Sequence, residues 1–353
     1  MFKFPERGQF RHKHRPAGIG YSGGHYTQLL DSGYHCGTSG FSHWTLLMAS
    51  PALSHARPIR SPTLADIALV ALLGILWGSA FPAIKVAVTA YQPIHVVMLR
   101  VMLGLAVLLA WMMIRQIAFP RSARTWVLLA VMAVLNTVMP FFLISWAEQH
   151  IDAGITALLM GSGPFFALLI SHLTTRDDRM TMPKLIGVVL GFSGVLTVIG
   201  VEAVSGLGRD LVAQLAVFAA NLCYVVSGAM IRSVRDTSMD AMAAGNLACA
   251  FVMLAPFVVV FGLPPVAPLS GAASGPILFA VFWLGAVVTG LTYVLRFYLA
   301  RTIGYSFMSL AAYMVPVAGI AISALLLGET ISLDLLIALT LVLAGFAVAR
   351  LGR

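Results

Sequence analysis

Charged residues are scarce in this sequence. Asp, Glu, Lys and Arg make up 10% of its 353 residues and hydrophobic residues 59%, whereas soluble domains have about 25% and about 45–50%. This deficit of charge excludes a domain that folds in water alone.

Cysteine is scarce too, and its three occurrences are Cys36, Cys223 and Cys249. Three scattered cysteines exclude a disulfide scaffold. Six of the nine histidines lie with Cys36 in the first 62 residues, but their spacings match no zinc motif. We expect neither a metal site nor a cofactor.

The sequence has instead a series of apolar runs of about 18–24 residues, the length that crosses a hydrocarbon core of about 30 Å. The runs are continuously apolar rather than alternating, so they predict helices and not strands. We predict an all-α polytopic membrane protein. Its ten transmembrane helices would occupy windows 64–88, 93–114, 124–147, 153–174, 183–201, 210–231, 240–262, 275–299, 304–327 and 332–350.

The distribution of Lys and Arg predicts the orientation of these helices, because positively charged short loops stay in the cytoplasm. The even-numbered connections and the C-terminus carry most of them: Arg115, Arg121, Arg124, Arg176, Arg179, Lys184, Arg232, Arg235, Arg301, Arg350 and Arg353. The odd-numbered connections are mainly acidic, with Arg209 as the exception. Both termini are therefore expected in the cytoplasm, and the net charge of +9 indicates topology rather than nucleic-acid binding.

Residues 1–62 differ in composition, being rich in Gly, Ser, His, Pro and basic residues. They predict a disordered basic tail, and they contain no apolar segment and cleavage site typical of a signal peptide. A translation start at Met48 is an alternative, since it would leave a short basic leader before the first helix.

An internal repeat divides the apolar region into halves 63–202 and 203–353. At an offset of 152 residues, for example, Trp146 aligns with Tyr298. Equivalent loops of the two halves carry opposite charge. This is expected if each half has an odd number of helices, because the second half then crosses the membrane in the opposite orientation. A 5+5 inverted repeat is an architecture of secondary transporters.

Five segments in order carry a family resemblance. They read LLGILWGSAFPAIKVA, QPIHVVMLRVMLGLAVL, ITALLMGSGPFFALL, KLIGVVLGFSGVLTVIG and LLLGETISLDLLIALTLVLAGFAVAR. Together they resemble the EamA-type family of the drug/metabolite transporter superfamily over 64–350. The resemblance implies a bacterial inner-membrane transporter that exports amino acids or related metabolites by alternating access. Its cavity would be lined by helices one, three, four, six, eight and nine.

The cavity candidates on those helices are flat apolar side chains and a few polar groups. They are Trp77, Phe81, Asn136, Trp146, Met160, Asn221, Tyr224, Tyr293 and Tyr313. Packing against lipid or other helices is the alternative for each aromatic residue, whereas a mid-helix amide seeks a partner across the bundle.

Four charged residues are candidates for a gate or for ion coupling: Lys85, Arg100, Glu148 and Arg296. Lys85 matches the family's first-helix pattern WGSxFxxxK, although snorkelling to the interface explains it equally well. Arg100 lies about 10 Å into the second helix and needs an acceptor or water. Anchoring of the helix ends is the preferred role for Arg100, and contact with the substrate is the alternative. Glu148 would pair with Lys85 or Arg100 or titrate in proton coupling, and a solvated residue of the loop is the alternative. Arg296 is expected to snorkel.

Three prolines, Pro82, Pro164 and Pro316, predict breaks in apolar helices. Glycines predict close-packed helix faces instead, with Gly187 and its neighbours on the fifth helix and Gly345 on the tenth.

A small-molecule substrate and membrane lipid are the expected partners, and a homodimer is left open. Nucleotide-sugars, sugar phosphates or drugs, which members of the superfamily carry, are the alternative substrates. A membrane enzyme or a channel is disfavoured, because the helices carry no cluster of His, Asp or Glu and no filter motif.

Overall fold

The computed structural model describes residues 60–174, 180–204, 208–234, 237–264 and 274–351. Within these ranges the regular secondary structure is entirely helical. The alternative start at Met48 and all but the last three residues of the predicted tail 1–62 lie outside the described residues.

We label the long helices in chain order. They are α1 (Leu64–Ala87), α2 (Pro93–Arg115), α3 (Ala123–Ala147), α4 (Ala153–Met160 and Gly163–Thr174), α5 (Met182–Val204), α6 (Gly208–Met230), α7 (Met239–Leu254), α8 (Ser274–Thr302), α9 (Ala311–Leu327) and α10 (Leu333–Arg350). Shorter helical segments lie at Ile231–Ser233, Phe257–Phe261 and Tyr305–Met308.

Seven of the described helices are long and apolar enough to cross a membrane: α1, α2, α3, α4, α6, α8 and α10. The apolar parts of α5, α7 and α9 are shorter, at Met182–Val198, Met239–Leu254 and Ala311–Leu327. A polytopic helical membrane protein is therefore confirmed. The layout of ten crossings in two inverted sets of five stays a prediction.

Two windows in the second half of the chain are interrupted between helical segments. The window 240–262 stops at Leu254 and resumes at Phe257, because Pro256 has no N–H with which to continue the helix. The window 304–327 consists of Tyr305–Met308 and then α9 from Ala311 onward.

The start of α1 explains the one acidic residue in its apolar run. Thr63 and Asp66 form a capping box, in which the Asp66 carboxylate accepts the Thr63 backbone N–H at 2.8 Å. The same carboxylate accepts two hydrogen bonds from Arg60, at 2.6 and 2.9 Å. Asp66 is buried, yet its charge is paired and fully hydrogen-bonded.

Helix pairs join distant parts of the chain. α1 packs on α9, α2 on α8, α3 on α6 and α7, and α5 on α10. The α5–α10 contact confirms the glycine prediction, because a Cβ added to Gly187 would lie 2.5 Å from the backbone oxygen of Gly345. Only glycine allows the two backbones to approach this closely.

Candidate functional site

A buried arginine joins α2 to α8 in the middle of the bundle. Arg100 Nε donates to Thr289 Oγ1 at 2.9 Å, and the guanidinium carbon lies 3.6 Å from the centre of the Phe141 ring. Thr289 can accept this bond because its own hydroxyl donates to the backbone oxygen of Leu284 at 2.8 Å. The sequence predicted that Arg100 needs an acceptor, and the neutral hydroxyl of Thr289 provides it.

A second polar contact joins α7 to α3. Asn246 Nδ2 donates to Thr137 Oγ1 at 2.7 Å, and both side chains are buried. The other amide atom, Asn246 Oδ1, is buried without a hydrogen-bond partner among the described residues. A buried acceptor in this state is costly unless water or a ligand satisfies it.

Both threonines lie in π-helical segments. Val134–Val138 interrupts α3, and Trp283–Leu291 interrupts α8. In α3 the segment ends two residues before Pro140, which cannot donate to the regular ladder. Such wide turns are frequent at functional sites.

A third contact links the two π-helical helices directly. Asn136 Nδ2 on α3 donates to the Tyr293 hydroxyl on α8 at 3.0 Å. We call the connected and adjacent residues Arg100, Asn136, Thr137, Asn246, Thr289 and Tyr293 the central polar layer. Tyr224 on α6 packs against the apolar cluster that contains Phe141, the ring over which the Arg100 guanidinium lies. Hydrogen-bond donors, acceptors and one positive charge together could recognise a small polar molecule.

Lys85 lies at one end of the bundle and binds the turn between α3 and α4. Its Nζ donates to the backbone oxygens of Glu148 and Ile151 at 2.9 and 2.7 Å and lies 4.0 Å from Asp152 Oδ1. The ammonium therefore caps the carboxyl end of α3, where the helix dipole favours a cation. The side chain keeps 29% of its surface exposed, as a snorkelling lysine would.

The same turn is held from the other half of the chain. Glu329 accepts the backbone N–H groups of Ala153 and Gly154 at 2.9 and 2.8 Å. Its carboxylate thus caps the amino end of α4, where the dipole favours an anion. A cavity of about 220 Å³ lies beside it. Glu148, within the turn, is fully buried and makes no side-chain hydrogen bond to any described residue.

The break in α1 lies at Ser79, between Leu64–Gly78 and Ala80–Ala87. Pro82, which lies inside the second segment, cannot donate to the helix and accounts for a break one turn earlier. Trp283 Nε1 on α8 donates to the Ser79 hydroxyl at 2.8 Å, and Trp77 Nε1 donates to Thr292 at 3.3 Å. The break in α1 is thereby tied to the middle of α8.

The break in α4 lies at Gly161–Ser162, just before Pro164. Asn221 Nδ2 on α6 donates to the backbone oxygen of Leu159 at 3.0 Å and to Ser162 Oγ at 3.2 Å. Asn221 thus finds the interhelical partner that the sequence requires. Met160 packs beside this break, and Phe81 is buried against α9, near Gly319.

Other sequence candidates lie outside the central polar layer. The Tyr313 hydroxyl accepts a 2.9 Å hydrogen bond from Arg350 Nε on α10. The Trp146 ring contacts the His150 ring in the α3–α4 turn at 4.6 Å. Arg296 is half-buried on α8. Pro316 does not break its helix, since α9 continues through it and the interruption lies upstream, after Met308.

One protein-family model matches two stretches of the chain. The model of the EamA-like transporter family matches residues 64–200 and again 211–351. The chain belongs to the EamA-like transporter family. The resemblance inferred from the five sequence segments is confirmed.

Several transporters with known sequences are similar to this chain and about equally distant from it. The chain is 25% identical to the uncharacterized transporter YoaV of Bacillus subtilis (strain 168), over 77% of this chain and 91% of the relative. It is 25% identical to a probable terminal-alkyne amino-acid exporter of Streptantibioticus cattleyicolor, over 72% and 83%. It is also 25% identical to the uncharacterized inner membrane transporter YedA of Escherichia coli (strain K12), over 80% and 89%.

One solved crystal structure has the same fold. It matches with a TM-score of 0.60 at 19% identity and covers 81% of this chain and 97% of that chain. Among the described residues of this EamA-like chain, no three His, Cys, Asp or Glu residues are grouped so that they could hold a metal ion.

Sequence reasoning missed three members of the central polar layer: Thr137, Asn246 and Thr289. The repeat could have found the threonines, because Thr137 and Thr289 are separated by the same 152 residues that align Trp146 with Tyr298. Asn246 was a mid-helix amide in an apolar run, like Asn136 and Asn221. The pairing of these residues across the halves required the structure.

Proposed function

We propose that this protein is a secondary transporter of the bacterial inner membrane that exports amino acids or related small metabolites by alternating access. The central polar layer would line its substrate path. One observation carries the proposal. Each family-matched half contributes a polar side chain to the threonine in the π-helical segment of the other half. A polar layer at the junction of two repeats is where secondary transporters bind their substrates.

The proposal includes ten membrane crossings in a 5+5 inverted repeat, with halves 63–202 and 203–353. Two matches to one family model support the repeat. The π-helical segments of α3 and α8, at equivalent positions of the two halves, support it further. The excess of Lys and Arg in alternate connections supports cytoplasmic termini.

The chemistry of the layer favours a small molecule with a carboxylate. Arg100 uses Nε for Thr289 and its flat face for Phe141. No carboxylate among the described residues lies within ion-pair distance of it, which leaves its terminal nitrogens to bind a substrate anion. A relative named as an amino-acid exporter agrees with this choice.

Sugar phosphates, nucleotide-sugars and drugs remain the second class of substrate. A phosphate would need several cations at one place, and Lys85 is occupied with the backbone oxygens of the α3–α4 turn. We therefore rank a singly charged carboxylate above a phosphate. We also propose that the chain is not an enzyme, in agreement with a family of transporters.

Efflux from liposomes tests the function. The purified full chain is reconstituted, the liposomes are loaded with a panel of labelled amino acids, and efflux is followed. Arg100→Gln should slow efflux of the transported amino acid by about tenfold or more, because a hydrogen bond to a charged group contributes about 1.5–3 kcal/mol. Arg115→Gln, an exposed arginine on the same helix, is the matched control and should leave efflux unchanged.

Two results would contradict the proposal. Folded protein that releases no amino acid would overturn the substrate class and move the search to phosphorylated sugars, nucleotides and drugs. Efflux that is equally fast in Arg100→Gln would remove the central polar layer from the path.

A further inference from the structure

Glu148 is a buried acid whose carboxylate makes no hydrogen bond to any described residue that would account for its burial. It follows the last residue of α3 and has 0% of its surface exposed. Neither carboxylate oxygen has a hydrogen-bond partner among the described residues. Burying an ionised carboxylate without partners costs several kcal/mol, more than most single interactions return.

The charged groups around Glu148 make their hydrogen bonds to groups other than its carboxylate. Lys85 on α1 binds the backbone oxygen of Glu148 rather than its carboxylate. Arg100 on α2 is directed to Thr289, and Glu329, which is also negative, caps α4. Electrostatic interactions with all three reach the Glu148 carboxyl, but none of them makes an ion pair with it.

The remaining titratable neighbours do not neutralise a charge on Glu148 either. Tyr224 lies on α6, and an ordinary phenol carries no charge at neutral pH. His150 contacts the backbone oxygen of Trp146, and the Asp152 side chain is 59% exposed. Glu148 also stands at the carboxyl end of α3, where the helix dipole disfavours an anion.

We propose that the Glu148 carboxyl is the proton-binding site that couples transport to a proton gradient. This inference rests on the proposed transport function. In the conformation described here the carboxyl holds its proton, since a neutral acid avoids the cost of an unpaired buried charge. When the carboxyl releases that proton to water on one side of the membrane, the new negative charge attracts the nearby ammonium of Lys85.

This attraction couples proton binding at Glu148 to the position of the α3–α4 turn. Lys85 Nζ now binds the backbone oxygens of Glu148 and Ile151 at 2.9 and 2.7 Å, so a shift of the ammonium towards the carboxylate lengthens these two bonds. Deprotonation therefore weakens the cap on α3 and loosens the α3–α4 turn. Reprotonation restores the cap, so the position of the turn follows the charge on Glu148.

Infrared spectroscopy tests the proton site without a substrate. The full chain in lipid is measured at neutral pH, and the spectrum of Glu148→Gln is subtracted. We expect a carbonyl band of a protonated carboxylic acid that is present in the native chain, absent in Glu148→Gln and unchanged in Asp152→Asn. The absence of such a difference band would mean that Glu148 is ionised and would overturn the proposal.

Transport in liposomes then tests the coupling. A pH gradient should accelerate net flux in the native chain and in Asp152→Asn, and this acceleration should be lost in Glu148→Gln. Exchange of labelled for unlabelled substrate needs no net proton movement and should persist in Glu148→Gln, which also demonstrates that the variant is folded. Gradient-driven flux that persists in Glu148→Gln would overturn the coupling role. A native chain without any exchange would contradict the transport function instead, while the infrared result would still decide whether Glu148 binds a proton.

Discussion

Arg100 and Asn246 occupy the same position in two helices of opposite halves. Each is the eighth residue of its helix, since α2 begins at Pro93 and α7 at Met239. Each donates to a threonine of the other half, Arg100 to Thr289 and Asn246 to Thr137. The two bonds are thus related by the repeat, but only one of them carries a charge.

The Arg100–Thr289 bond should contribute to stability as well as to transport. Thr289→Val keeps the shape of the side chain but removes the acceptor, so the buried guanidinium loses a partner. We expect the free energy of unfolding in detergent to fall by about 1.5–3 kcal/mol. A double-mutant cycle with Arg100→Gln isolates the pair, and effects that simply add would contradict a direct interaction.

The neutral hydrogen bond between Asn246 and Thr137 should contribute less to the free energy of unfolding than the bond between Arg100 and Thr289. Interhelical hydrogen bonds in membranes contribute about 0.6 kcal/mol on average and up to about 1.7 kcal/mol. We therefore expect a coupling energy of that size between Asn246→Ala and Thr137→Val, measured from the same unfolding experiment. A coupling energy larger than that of the Arg100 cycle would contradict the assignment of the stronger contact to the charged pair.

Lys85 should stabilise the α3–α4 turn through its charge. Lys85→Met keeps the apolar stem but leaves the backbone oxygens of Glu148 and Ile151 without their donor. We expect a lower thermal unfolding temperature and faster hydrogen exchange in the turn. Lys85→Arg, which retains a donor, should recover part of the loss, and identical behaviour of the two variants would indicate that only the stem matters.

Gly187 should tolerate no side chain. A Cβ there would lie 2.5 Å from the backbone oxygen of Gly345 and 2.6 Å from Ala349 Cβ, so Gly187→Ala should cost about 1–3 kcal/mol by overpacking. Gly200 on the same helix has no atom within 4 Å of an added Cβ. Gly200→Ala is therefore the control, and a comparable loss in both variants would contradict the proposed α5–α10 contact.

The apolar windows predicted the helices because lipid leaves the backbone few alternatives. The predicted window 64–88 and the observed helix Leu64–Ala87 differ by one residue. Prolines did not predict helix breaks consistently, since α7 ends before Pro256 whereas α9 continues through Pro316. Whether a proline breaks a helix depends on whether neighbouring groups satisfy the freed oxygen, which the local sequence does not reveal.

The site was predictable only in part. Asn136, Tyr293 and Arg100 could be selected because polar side chains inside an apolar run need partners. Which partners they have depends on helix contacts between distant parts of the chain. The π-helical segments could not be predicted from the sequence either, because one extra residue per turn does not change the pattern of a continuously apolar run.

Access to the central polar layer from both faces of the membrane is the most direct test of alternating access. Asn136→Cys is made in a chain whose cysteines are replaced, and a membrane-impermeant maleimide is applied to vesicles of either orientation. The account predicts labelling from both faces, slowed by the transported substrate. Labelling from neither face, or from one face without any effect of substrate, would contradict a transport path through this layer.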